Sequence, residues 1–380
     1  MKMVKYHGVF KNIVYKYIYN YIKMSTSSLL LGEGAYAKVY DNKDCAIKIT
    51  EINNEEDLTA CVRELYVLQM FLPHTVPFRS CYYKWGCMHF NLEKATCNLN
   101  EYTGSLCDEY IITQILQGLY ALHANKIYHR DVKPDNILIK GDSVWLCDFG
   151  LSRQFISDTD SGTGSMQSEY YRAPEVWNKS GVYTDVMDIW SVGCVYYKLI
   201  YGYRLCETKE QLFEEAPKII AKESDPLLRG MLEMDPEKRW SAEKCLEYLK
   251  KKPDYTYTEH ICENNFTRHR DREIWFRKFE NKFPEEKRAL THALMLYDLS
   301  DDDPENMCCA MAVASMIFCT RPASLLHFAQ TELKKIECDP LSTISSFVSC
   351  VCTGHTVTCG WKEESYKEYI TKMFNKKRKL

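Results

Sequence analysis

Three short polar strings follow one another through the middle of this chain: His129-Arg130-Asp131-Val132-Lys133-Pro134-Asp135-Asn136, then Asp148-Phe149-Gly150, then Ala173-Pro174-Glu175. They lie behind a glycine-rich turn between two apolar strand ends, Leu31-Gly32-Glu33-Gly34-Ala35-Tyr36-Ala37-Lys38-Val39, and behind the lysine that closes Ala46-Ile47-Lys48. Glycines in such a turn let backbone N–H groups approach phosphate oxygens with no Cβ in the way. A lysine at a strand end offers those phosphates a point charge. Glu64, in the helically spaced Val62-Arg63-Glu64-Leu65, is a carboxylate able to pair with Lys48. Taken singly, the turn matches many loops, and Lys48 reads equally well as a solvated strand end. Order and spacing together leave coincidence little room.

The chain has 380 residues, enough for two or three domains. With 46% hydrophobic and 27% charged residues it is neither disordered, nor collagen-like, nor a small disulfide scaffold. A net charge of −3 gives no global attraction for nucleic acid, so none is expected as a partner. Eighteen cysteines with no secretory context predict free thiols and an intracellular protein of the cytoplasm or nucleus. The longest apolar run, Cys308 to Cys319, is too short to cross a bilayer, so no transmembrane segment is expected.

Texture divides the chain into four parts. Residues 1–24 form a basic extension, either mobile or a basic interfacial helix. Residues 25–255 start with short strands (Leu29–Val39, Cys45–Thr50, Cys81–Trp85, Met88–Leu92) around a helix over Leu58–Phe71, with Cys61, Leu65, Leu68 and Met70 as its core positions. They continue with helices over Ile111–Ala124, Thr184–Tyr201, Leu227–Glu233 and Ala242–Lys250. Residues 256–372 are helical in pattern beyond a boundary at Pro253, and 373–380 form a basic tail, solvated or an import signal.

The polar set resembles the protein-kinase signature across residues 25–255. The resemblance implies an α+β bilobal fold, a β-rich N-lobe and a helical C-lobe, followed here by an all-α domain. It implies ATP and Mg²⁺ as cofactors and a protein as substrate. Asp131 would then accept or orient the proton of the substrate hydroxyl, and Asn136 and Asp148 would hold Mg²⁺. Lys48 would grip the phosphates and be held by Glu64. Leu31, Gly32, Glu33, Gly34, Ala35, Tyr36, Ala37, Lys38 and Val39 would cover the nucleotide, with Ala46, Glu93, Ala95 and Leu138 completing its pocket. Lys133 matches the position that steadies the γ-phosphate in serine/threonine kinases, and Ser168 is expected to hydrogen-bond near Asp131 and Lys133. Glu175 resembles a glutamate paired with a distant arginine, which Arg239 fits. Asp188 resembles the helix-start aspartate that anchors the catalytic-loop backbone. Ala37 stands in place of the third glycine, while every charged group needed for transfer is present. The alternative is a catalytically inactive kinase-fold scaffold or binding module.

Within the kinases, the motifs are most similar to the cyclin-dependent branch. Leu58-Thr59-Ala60-Cys61-Val62-Arg63-Glu64 looks like the cyclin-contacting helix, and Tyr36 like the tyrosine whose phosphorylation inhibits. Arg172 is typical of the wider proline-directed group. The length from Asp148 to Glu175 puts Thr163 where an activating threonine sits, with Arg130 in the basic pocket for its phosphate. Lys287–Ser300 and the small-residue helix Met307–Phe318 resemble the second and the buried central helix of a cyclin box, although the latter ends Cys319-Thr320-Arg321-Pro322. The alternative for this region is an unrelated helical bundle. The implied partner is a cyclin or the chain's own C-terminal domain. Cys350, Cys352, His355 and Cys359 match no recognised zinc spacing and are expected to be free.

Overall fold

The structure is a computed structural model that describes residues 29–34, 37–154, 168–178, 184–256, 293, 304–318, 324–335 and 339–353. Strands β1 (Leu30–Glu33), β2 (Ala37–Asn42) and β3 (Cys45–Glu51) lead into helix α1 (Glu55–Leu68), then β4 (Phe78–Lys84) and β5 (Cys87–Leu92). The strands form an antiparallel sheet in the order β1-β2-β3-β5-β4. The apolar run Leu29–Val39 forms two strands that meet at the glycine turn, where the Gly34 N–H donates to the Ala37 carbonyl at 2.9 Å. β4 and β5 join through Trp85-Gly86, both left-handed (φ 53° and 77°), which matches the twist of a tight hairpin.

Helix α1 starts three residues before the expected Leu58. The Asn54 side chain accepts the Asp57 N–H at 2.9 Å, and Glu55, Glu56 and Asp57 place negative charge at the positive end of the helix dipole. Such a cap is worth about 1 kcal/mol, and apolar spacing alone cannot register it. The helix ends at Leu68 rather than Phe71, which is left-handed at φ 48°. Cys61, Leu65 and Leu68 are buried as expected, whereas Met70 is half-buried.

The second layer is helical. It holds α2 (Asp108–Ala124), α3 (Pro174–Trp177), α4 (Val186–Tyr201), α5 (Lys209–Glu214), α6 (Ala216–Ile220), α7 (Pro226–Met231) and α8 (Ala242–Tyr248). Gly202 (φ 79°) gives α4 its left-handed C-terminal stop. Gly230 is needed for packing, because a Cβ there would lie 2.3 Å from the Trp240 ring. Between the lobes run short strands that apolar periodicity does not predict. These are β6 (Cys97–Asn98), β7 (Ile127–Tyr128), β8 (Ile137–Lys140), β9 (Ser143–Leu146) and β10 (Arg153–Gln154), paired as β6-β8-β9 and β7-β10.

Beyond the second lobe come α9 (Pro304–Phe318), α10 (Ser324–Lys335) and α11 (Pro340–Thr353). Every residue from Cys308 to Ile317 is buried, so α9 is a central helix of this group, as its small apolar residues predict. α9 and α11 pack on α1, α11 lies along β4, and α9 reaches β10. The basic extension 1–24, Ala35, Tyr36, Thr163, most of Lys287–Ser300, Thr320, His355, Cys359 and the tail 373–380 lie outside the described residues. No helix among the described residues is long and apolar enough to cross a membrane.

Candidate active site

Strand register builds the upper half of the site. Lys48 on β3 faces Val39 of β2 and Phe90 of β5, and Ala46, two residues earlier, shares its face. The Lys48 Nζ donates to both carboxylate oxygens of Glu64, at 2.6 and 2.8 Å, and to Asp148 Oδ1 at 2.9 Å. Burial opposes the Lys48 charge, but the Glu64 and Asp148 carboxylates more than offset it and raise the ammonium pKa above its ordinary value. The Lys48 charge in turn holds the Asp148 carboxyl below the ordinary aspartate range, against the effect of burial. Lys48 and Asp148 are therefore both ionised near neutral pH.

The lower half is the loop from His129 to Asn136. Asp131 Oδ2 accepts from Lys133 Nζ at 2.7 Å and from Asn136 Nδ2 at 3.0 Å. Its Oδ1 accepts from the Ser168 N–H and hydroxyl at 3.1 and 2.9 Å, and Lys133 also reaches Ser168 Oγ at 3.0 Å. The carboxylate is thus fixed by four donors. Arg130 next to it is left-handed at φ 70°, a costly conformation for a side chain of that size. Asp188, wholly buried at the start of α4, holds it there by accepting the His129 and Arg130 N–H groups, both at 2.8 Å. His123 Nε2 lies 3.0 Å from the same carboxylate. Burial alone would raise the Asp188 pKa, but the hydrogen bond and charge of His123 and the Arg130 N–H hold it below the ordinary value.

His129 links this loop to Asp148. Its Nδ1 accepts the Asp131 N–H at 3.3 Å, which leaves Nε2–H to donate to the Cys147 carbonyl at 3.1 Å. Phe149, fully buried, packs on the His129 ring at 5.2 Å. Asp148 is left-handed at φ 64°, which turns its carboxylate toward Lys48. Farther out, Arg239 and Glu175 form a buried two-point pair at 2.6 and 2.9 Å, as expected.

Mg²⁺ needs hard oxygen donors and uses few from protein when phosphates supply the rest. Asp148 offers one ionised carboxylate. Asn136 spends its Nδ2 on the Asp131 carbonyl and carboxylate, which turns its amide oxygen the other way. Among the described residues no group of three or more His, Cys, Asp or Glu side chains could hold a metal alone, so this sparse set fits a nucleotide-borne cation.

The nucleotide residues divide. Leu31 is exposed on β1, and Glu33 pairs with Lys38 across the glycine turn at 3.0 Å, which ties Gly32 and Gly34 between two strands. Leu138 is half-buried on β8, and Ala95 follows β5. Glu93 was expected at the nucleotide through no particular atom. Its carboxylate is engaged by Arg79 at 2.5 Å and by Lys140, and its N–H donates to the Pro77 carbonyl at 2.8 Å, so its main-chain carbonyl is the group left for that task. His123 is the supporting residue that sequence spacing missed, since its partner Asp188 lies 65 residues away.

A family model described as the protein kinase domain matches residues 26–249, more than half of the chain. The chain belongs to the protein kinase family. Among curated proteins it is 30% identical over 205 residues to mitogen-activated protein kinase KSS1 of Saccharomyces cerevisiae, covering 46% of this chain and 56% of that protein. It is also 30% identical over 192 residues to mitogen-activated protein kinase 13 of Arabidopsis thaliana, with 45% and 52% covered. Mitogen-activated protein kinase 17 of Oryza sativa subsp. japonica is 28% identical over 258 residues, with 61% and 44% covered. The chain spans about half the length of the curated relatives it matches. These relatives are mitogen-activated protein kinases, so the comparisons support the protein kinase family and do not show the cyclin-dependent branch that the short motifs resemble.

Proposed function

We propose that this chain is a serine/threonine protein kinase that moves the γ-phosphoryl group of ATP to hydroxyls of protein substrates. The observation that carries this is the four-donor fixation of Asp131, with Lys133 bridging Asp131 and Ser168. The four donors fill the lone-pair sites of the carboxylate and fix its direction, so a substrate hydroxyl hands over its proton by taking the place of one of them. Lys133, two residues on, is placed to steady the transferred group's charge. Lys48 positions the α- and β-phosphates while Glu64 and Asp148 hold its ammonium in place. Asn136 and Asp148 would hold Mg²⁺, which when bound would supply neutralising charge to the phosphates.

A scaffold needs none of these charges in contact, and each costs desolvation. Their complete retention favours the catalytic reading over the binding module. Proline selectivity after the phosphoacceptor is the finer part of the proposal, supported by Arg172, whose guanidinium stacks on Trp177 at 4.3 Å and braces the loop after Tyr171. The test is a degenerate peptide library incubated with the full chain and Mg-ATP, read by mass spectrometry. Phosphate on Ser and Thr, enriched before proline, is expected. Phosphate on Tyr alone contradicts the serine/threonine proposal, and no proline enrichment contradicts the finer part.

A further inference from the structure

Helix α1 carries Glu64 to Lys48, and α1 is held from two directions. One is β3, through the Lys48–Glu64 pair at 2.6 Å. The other is the C-terminal helix group, with α9 and α11 packed against it. Arg63, next to Glu64, donates from Nε to the Met316 carbonyl at 3.0 Å. Met316 lies in the last turn of α9, where carbonyls lack intrahelical partners and the helix dipole is negative, so a guanidinium there satisfies both. At the first turn of α1, Gln330 Nε2 of α10 donates to Glu55 Oε2 at 2.8 Å. The Tyr83 hydroxyl of β4 hydrogen-bonds Ser342 of α11. α9 also touches β10, the strand that follows Asp148-Phe149-Gly150.

Since Arg63 and Glu64 are consecutive, a shift of α1 away from α9 moves both, and a few ångströms would break a 2.6 Å pair. We infer that helices α9, α10 and α11 are the chain's own activating element, holding α1 so that Glu64 stays on Lys48. This rests on the kinase reading above. Being on one chain, the helices meet α1 at an effective concentration on the order of millimolar, so a modest interface suffices.

The test uses the full chain with three variants: Arg63→Ala, Gln330→Glu, which sets a carboxylate against Glu55, and Gln330→Glu combined with Glu55→Lys, which restores an attractive pair. Two readouts are taken, peptide phosphorylation and hydrogen–deuterium exchange of residues 55–68, with exchange of α2 reporting on the global fold. The two single variants should lose transfer about tenfold, the equilibrium equivalent of one charge-assisted hydrogen bond. Exchange in α1 should rise while α2 is unchanged, and the charge swap should recover both signals. Wild-type exchange in both single variants overturns the inference, whether or not the chain transfers phosphate. So does raised exchange with wild-type transfer. Wild-type protein that transfers no phosphate overturns the kinase reading instead, and the exchange data then still decide whether these helices hold α1.

Discussion

The ammonium of Lys48 lies between the two carboxylate oxygens of Glu64, at 2.6 and 2.8 Å, and so ties the sheet to helix α1. The pair is buried, and a buried pair of this kind recovers its desolvation cost without large net gain. Its consequence is positional. Its other partner, Asp148, follows β9 next to Cys147, whose carbonyl His129 holds, so one lysine registers the two halves of the site against each other.

Replacing that lysine should therefore damage chemistry more than fold. Lys48→Met is expected to lower kcat by about 100- to 1000-fold, as removal of one preorganised charge does elsewhere. KM for ATP should rise as well, because Lys48 also positions the nucleotide. Steady-state kinetics with a peptide substrate and a thermal melt check both halves; a variant within threefold of wild-type kcat contradicts the role given to Lys48.

Acid should release the catalytic loop through Asp188. Its pKa is depressed in the folded protein, so the unfolded chain binds more protons over that interval and stability rises with pH there. The Asp188 contribution is full above the ordinary aspartate value of about 4 and is lost as pH falls through the lower folded value. Asp188→Asn puts an amide against N–H donors and should cost about 2–3 kcal/mol at neutral pH. Urea unfolding from pH 7 to pH 2 should show the gap between the two proteins narrowing below about pH 4. A constant gap contradicts the assignment.

Arg239 and Glu175 offer a separate test of packing. Arg239→Ala strands a buried carboxylate and should cost about 3–5 kcal/mol. That corresponds to a Tm lower by roughly 6–20 °C. The double variant with Glu175→Ala should be less damaged than the sum of the two single changes, as measured by calorimetry.

The catalytic groups were legible because phosphate chemistry fixes residue types at set separations. Asp131, Lys133 and Asn136 lie within six positions, and the structure brings them onto one carboxylate. Ser168 was legible for the same reason. His123 was not, because its partner lies on another helix, and no periodicity links α2 to Asp188. Arg63 was legible as part of the Leu58–Glu64 segment but its partner was not: the acceptor is the Met316 carbonyl, and a main-chain acceptor leaves no mark in a side-chain pattern. Strands such as β7 and β10, two residues each, hold a single repeat of the alternation, too little to reveal a strand. The branch within the kinases is not settled by Leu58–Glu64 and Tyr36, which are short strings, and the groups that touch phosphate carry no branch information.

The most direct measurement is phosphoryl transfer from labelled ATP to a serine- or threonine-containing peptide by the full chain, beside Asp131→Asn prepared identically. Asn136, Lys133 and Ser168 still surround the substituted side chain, so nucleotide affinity should change little. The wild type should incorporate label into the peptide, and Asp131→Asn should do so at least about 100-fold more slowly, the scale of a general-base contribution. Equal incorporation by the two proteins, or none by the wild type, contradicts the account.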